Sequence, residues 1–253
     1  MIRALALVSL FVLAIAPAGA AERVVSLNLC TDQLAVILAP EKVAALSQLA
    51  RDPALSFVAP QAAMIPQVRA SAEAVLALHP DLVLAARFGA QTTLTLLEQR
   101  SIRIERFDLP ADFPGIARLT RAVATAMGVP ERAEPSIAAM DAVLAAARKP
   151  SNPLSAIAWE PRGYTAGPDS MMGAVLRAAG LTNAATGDRM GIESLLHRKP
   201  DLLIVPDTPA FPSLATEMLR SPALSGIPQR PIPPALTLCP GPFTAQAVAL
   251  LAR

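Results

Sequence analysis

Two stretches of this chain, residues 71–87 and residues 191–206, repeat one pattern at a constant offset. The first reads SAEAVLALHPDLVLAAR and the second GIESLLHRKPDLLIVP. Glu73 pairs with Glu193, Leu76 with Leu196, Pro80 with Pro200, Asp81 with Asp201, and Leu82 with Leu202, each 120 residues apart without a gap. Each copy parses as a short amphipathic helix with an acidic residue in its first turn. A proline then ends the helix, because it lacks an N–H and disfavours the helical region for the residue before it. A continuous apolar run follows, Leu82 to Ala85 or Leu202 to Val205. Such a run suits a strand buried on both faces of a parallel sheet. Two copies this far apart predict two lobes of similar build. They do not predict a solenoid, which needs several adjacent repeats.

The first twenty residues stand outside that scheme. Arg3 supplies a positive start, Ala4 to Ala16 an apolar run, and Ala18-Gly19-Ala20 a small-residue cleavage site. The run is too short to span a bilayer as a finished helix. This predicts export to the periplasm with a mature start near Ala21. Most of the 253 residues remain, enough for two modest lobes with cores. Lys and Arg number 22 against 20 Asp and Glu, without the basic clustering that a nucleic-acid partner requires. Cys30 and Cys239 permit a disulfide in an exported chain. A bridge that long could stabilise by about 5 kcal/mol on loop entropy, but sequence alone does not bring the two sulfurs together.

The expected organisation is a leader over 1–20, an N-terminal α/β lobe over 21–110, a connecting helical spine over 111–149, and a C-terminal α/β lobe over 150–253. The fold class is α/β, with mainly parallel sheets and a ligand cleft between the lobes. Residues 23–29 read as a strand, with Thr31 or Asp32 able to cap a helix that runs to Leu38. Residues 43–47 form the next strand, residues 48–67 a long proline-broken loop, 91–99 a helix and 102–107 a strand. In the spine, apolar residues recur at helical spacing from Ile116 to Met127 and from Ile137 to Ala147. Gly128 ends the first helix and Pro130 opens the second, while Pro135 should bend the second helix or delay its start. Beyond it come a strand at 156–159, a turn at 163–170, helices at 171–179 and 211–219, a strand at 232–238 and a helix at 242–251.

Enzyme motifs are missing: no nucleophile elbow, dinucleotide fingerprint, phosphate loop or zinc-helix motif occurs. His79 and His197 are the two histidines, and each sits at a helix end just before a strand. That position suits structural caps, and two histidines in separate lobes do not make a site for a bare metal ion. Ligands of open α/β sheets bind beyond the carboxyl ends of strands. The loops there hold Asn28, Cys30, Arg51, Arg87, Phe88, Trp159, Arg162, Tyr164, Arg189, Cys239 and Phe243. Rare aromatics and arginines at strand ends suit a bulky, partly anionic ligand.

With those residues in view, the chain resembles the periplasmic substrate-binding proteins of ABC importers for cobalamin, ferric siderophores and haem. The matching pieces are RVVSLNLCTDQL, SAEAVLALHPDLVLA, YTAGPDSMMGAVLRAAGLTN and GIESLLHRKPDLLIV. The resemblance implies two rigid lobes joined by a long helix, a ligand held between them, and no catalysis or resident cofactor. It also implies docking of Glu73 and Glu193, one on each lobe, into arginine pockets of an inner-membrane permease. Cobalamin binders tend to line the cleft with several tryptophans, and here Ala86 stands where an aromatic is expected. Arg87, Arg162 and Arg189 favour an anionic chelate, placing a ferric siderophore slightly ahead of a corrinoid. Cys30 and Cys239 align with loops on opposite lips of the cleft, where three roles are open: an inter-lobe staple, a ligand contact or free thiols. The expected receptor is a monomer. The competing classes are an exported hydrolase or chelate-modifying enzyme, a haem-binding receptor, and a ligand-free interaction module.

Overall fold

The computed structural model describes residues 21–147, 150–207 and 216–252. The expected leader lies outside these residues, as does most of the helix expected at 211–219. What is described of that helix is a 3-10 turn, Glu217–Arg220.

The first sheet contains β1 (Val24–Ser26), β2 (Val43–Ala45), β3 (Leu82–Ala86) and β4 (Arg103–Phe107) in the order β2-β1-β3-β4, all parallel. The second contains β5 (Ser155–Glu160), β6 (Tyr164–Thr165), β8 (Leu202–Pro206) and β9 (Gln229–Ile232) in the order β6-β5-β8-β9, with β7 (Thr182–Asn183) also pairing β5. All of its pairings are parallel except the β5–β6 hairpin. The repeat supplies the inner strands β3 and β8, and the buried runs Leu82–Ala85 and Leu202–Val205 explain why each reads as unbroken apolar sequence.

The helices are α1 (Leu29–Leu38), α2 (Ala59–Ala62), α3 (Ala72–Leu76), α4 (Gln91–Glu98), α5 (Phe113–Ala126), α6 (Ala133–Ala146), α7 (Met171–Ala178), α8 (Ile192–Arg198) and α9 (Ala245–Leu251). The expected spine is a pair of 14-residue helices, α5 and α6, broken at Gly128, whose φ of 72° favours glycine. Pro135 sits in the first turn of α6, where a missing N–H costs nothing. Helix α5 packs on α1 and α6, and α6 packs on α9. One apolar core therefore runs from Val24 and Leu34 through Ile116 and Met140 to Ala156, Val175 and Val248. Smaller cores cover the opposite face of each sheet.

The repeat is a structural strut. Asp81 accepts hydrogen bonds from the backbone N–H of Glu22 (2.7 Å) and Arg23 (3.1 Å), just before β1. Asp201 accepts from the N–H and hydroxyl of Ser155 (2.8 and 2.7 Å), at the start of β5. The residues before the two prolines, His79 and Lys199, hold φ of 48° and 49°. One sequence pattern thus closes the helix and ties the inner strand to its neighbour in both lobes.

Local expectations change at several points, and the loop expected over 48–67 holds α2 and a 3-10 turn at Gln48–Arg51. Asn28, not Thr31 or Asp32, caps α1, its side-chain oxygen accepting from Cys30 N–H at 2.9 Å. The helix starts earlier than expected and buries both other candidates inside itself. The last strand lies at Gln229–Ile232 rather than 232–238, because Pro233 and Pro234 cannot donate to a ladder and start a 3-10 turn. Residues 163–170 are not only a turn: Tyr164 and Thr165 fold back on Glu160 and Trp159.

Candidate functional site

A disulfide between Cys30 and Cys239 locates the site. Cys30 lies in the first turn of α1, beyond the carboxyl end of β1, and Cys239 follows the turn after β9. The bridge therefore brings the carboxyl ends of the two sheets together. A cavity lies on either side of it. The N-lobe cavity, about 300 Å³, is lined by Asn28, Leu29, Ser47, Gln48, Leu49 and Arg69 among others. The C-lobe cavity, about 290 Å³, is formed by Ala158, Glu160, Met172, Ile204, Ile232 and Leu238 with their neighbours.

Large apolar side chains left in solvent are concentrated at these ends. Leu49 follows β2, Phe88 follows β3, Leu109 follows β4, Tyr164 follows β5, and Leu238 follows β9. Phe88 is 82% exposed. Five of the eight exposed large apolar side chains among the described residues thus lie past strand ends.

The wall carrying Tyr164 is pinned from behind. Trp159 is fully buried and its indole N–H donates to the Met190 carbonyl at 3.0 Å. Met190 N–H in turn donates to the Gly163 carbonyl at 2.8 Å. Gly163 has φ 75°, and a Cβ there would lie 2.6 Å from the Met190 carbonyl oxygen. Arg189 lies over the Tyr164 ring, 5.0 Å from its centroid.

Asp32 secures the opposite cavity. It is wholly buried in α1 and accepts from both the N–H (3.2 Å) and the hydroxyl of Ser47, which lines the N-lobe cavity. Burial pushes its carboxyl up to about 6, against the lowering effect of its hydrogen bonds. Among the described residues, no three His, Cys, Asp or Glu side chains cluster to hold a bare metal ion.

The sequence-selected residues divide accordingly. Asn28 and Cys30 lie at the cleft floor, and Tyr164 and Arg189 meet on its C-lobe side. Phe88 stands open. Four others are differently employed. Trp159 is core and offers no surface to a ligand. Arg51 donates to the carbonyls of Ala62 and Ile65, bracing the long loop. Arg87 forms a two-pronged pair with Asp108, which holds the Asp108 carboxyl below its ordinary range. Phe243 is buried and stacks on Phe57 with centroids 4.6 Å apart, beside a separate cavity that shares no lining residue with the other two. Sequence reasoning missed Ser47, Leu49, Arg69, Glu160 and Leu238. Ser47, Leu49 and Leu238 follow strands and Glu160 ends one, but none is a rare residue type, and Arg69 had no such signal.

Paired sheets with an apolar-rimmed cleft at their carboxyl ends define a two-lobed ligand receptor. A family model described as periplasmic binding protein matches residues 24–228, so the chain belongs to that family. The periplasmic haem-binding protein RhuT from Roseiflexus sp. RS-1 superposes with a TM-score of 0.74 at 25% identity, over 91% of this chain and 96% of that one. The periplasmic vitamin B12 binding protein BtuF of Vibrio cholerae gives 0.65 at 18% identity, over 92% and 96%, a likeness of fold alone. A cobalamin-binding protein of Halobacterium salinarum is 31% identical over 147 residues, 52% of this chain but only 39% of its own length. The family and these neighbours are binding proteins, not enzymes.

Proposed function

We propose that this protein is the periplasmic receptor of an ABC importer, exported by the leader in residues 1–20, and that it captures a bulky metal chelate. Five apolar side chains left exposed at the carboxyl ends of two facing sheets carry this reading. They suit a ligand with a broad apolar face, so a tetrapyrrole chelate moves ahead of the ferric siderophore favoured on arginine content alone. Loss of Arg51 and Arg87 to internal partners points the same way. The haem- and cobalamin-binding relatives support this class.

Handover would use Glu73 and Glu193. Both are exposed in the first turn of their helices, α3 and α8, at equivalent places on the two lobes. Two like charges so placed suit a two-fold permease.

Calorimetric titration of the mature protein with haem, cobalamin, a ferric hydroxamate and a ferric catecholate tests the reading. One-to-one binding of a tetrapyrrole is expected, weakened about tenfold or more by Phe88→Ala or Leu238→Ala through lost apolar burial. Turnover of a bound chelate, or no heat with any of the four, would overturn it.

A further inference from the structure

Glu160 is the last residue of β5. Strand alternation puts it on the same face as Ala156 and Ala158, opposite Ile157 and Trp159. That face meets the C-lobe cavity, where Glu160 is the one ionisable side chain among apolar walls from Ala158, Met172, Ile204, Ile232 and Leu238. Among the described residues its carboxylate has neither an ion-pair partner nor a hydrogen-bond donor. Other carboxylates of this protein are held by arginines: Asp108 by Arg87, Glu98 by Arg106, Glu134 by Arg121 and Glu41 by Arg132. The cations beside the β5–β6 turn do not serve Glu160. Arg162 is not within ion-pair distance, and Arg189 is occupied by the Tyr164 ring and the Arg162 carbonyl.

The facing N-lobe cavity has the opposite character, with Arg69 and no carboxylate. Among the described residues, the linings of the two cavities therefore carry one charge each, of opposite sign.

We propose that Glu160 makes the C-lobe cavity a donor-reading subsite, which takes an amide- or ammonium-bearing edge of the chelate and turns a carboxylate edge away. This rests on the receptor reading above. The reason is desolvation. Glu160 is exposed in the open cavity, where the apolar walls withdraw part of its hydration and raise its pKa; a chelate seated on those walls would remove the rest. A ligand that brings N–H donors supplies the missing hydrogen bonds, which are strong when the acceptor is charged. A ligand carboxylate would instead set like charges together. Among metal chelates, corrins carry peripheral amides and some hydroxamates carry an ammonium, whereas porphyrins and catecholates present anionic edges. The bound chelate is thereby oriented, its donors toward the C lobe and any anionic group toward Arg69.

The test uses matched ligands that differ only at the edge. Dicyanocobinamide presents amides, and dicyanocobyrinic acid presents carboxylates on the same ring. Calorimetry should show the wild-type protein preferring the amide form by about tenfold or more, the worth of one charge-assisted hydrogen bond. Glu160→Gln should shrink that preference to about threefold or less, without lowering the thermal midpoint. Should the protein take hydroxamates instead, ferrioxamine B and its N-acetylated form replace the pair, with the same expectation. A preference unchanged in Glu160→Gln, or a wild-type protein indifferent to the edge, overturns the subsite and leaves the receptor standing. Absence of binding to every chelate, haem and catecholate included, overturns both.

Discussion

In the N-terminal sheet, Asp81 ties β3 to the residues before β1, and in the C-terminal sheet Asp201 ties β8 to the start of β5. The walls above these struts share nothing comparable. The N lobe buries polar groups beneath its cavity: Ser26, Thr31, Asp32 and Gln33, with Ser56 on the loop above. Among the described residues of the C lobe, buried polar side chains are nearly absent, and its cavity is apolar around Glu160. Struts must satisfy the same backbone geometry twice, so the same residues serve. In the proposed receptor the walls face two different sides of one ligand, so they are free to diverge.

Severing the covalent link between the lobes should cost the most. The Cys30–Cys239 bridge spans 209 residues of sequence. Replacing both cysteines with serine should lower the unfolding free energy by up to about 5 kcal/mol, read by denaturant titration against the oxidised protein. Two separated transitions, instead of one at lower denaturant, would show that the shared core through α5 and α6 does not couple the lobes without the bridge.

Next in size is the pH response of Asp32, the N-lobe carboxyl that burial raises to about 6. Its folded pKa of about 6 lies above the ordinary 3.8, so between those values the folded protein holds more protons than the unfolded chain. Stability should therefore fall as pH rises through that window, by about 3 kcal/mol in total, and stay low above it. Asp32→Asn mimics the protonated form and keeps an acceptor for Ser47. It should flatten the slope and match or exceed wild-type stability at neutral pH. An unchanged slope would move the titration to another group.

A smaller effect tests the equivalence of the struts. Asp81→Ala and Asp201→Ala should each lower the thermal midpoint and speed amide exchange at the start of β1 and β5 respectively. The Ser155 hydrogen bonds hold the Asp201 carboxyl below its ordinary range, so this support is present at neutral pH and is lost as pH falls through the depressed value. A response confined to one lobe would mean that the repeat is sequence likeness without shared mechanics.

Smallest for the fold are Glu73→Ala and Glu193→Ala, exposed positions where stability should move by about 0.5 kcal/mol or less. Their double variant should abolish permease-dependent uptake with chelate affinity intact. Uptake at the wild-type rate would remove both glutamates from the handover.

The repeat was legible because it is carried by local rules. Pro80 and Pro200 end helices wherever they fall, and unbroken apolar runs must be covered on both faces. The two-lobed α/β plan, the break at Gly128 and the cleft at strand ends followed from that pattern. Rarity of residue type misled at Trp159 and Phe243, since a large aromatic satisfies a core as well as a ligand. Arginines misled likewise: Arg51 met carbonyl oxygens and Arg87 met Asp108, and neither partner is announced by spacing.

What the sequence determined by itself was therefore most of the elements and their duplication. Hydrophobic period, proline and glycine act over a few residues, and no distant contact is needed to read them. Only the tertiary structure decided that Cys30 meets Cys239, that Trp159 turns inward onto Met190, and that Glu160 meets no partner among the described residues around its apolar cavity. Those are encounters between segments from 31 to 209 residues apart. Each is settled by which face of a sheet a side chain occupies and by what packs against that face.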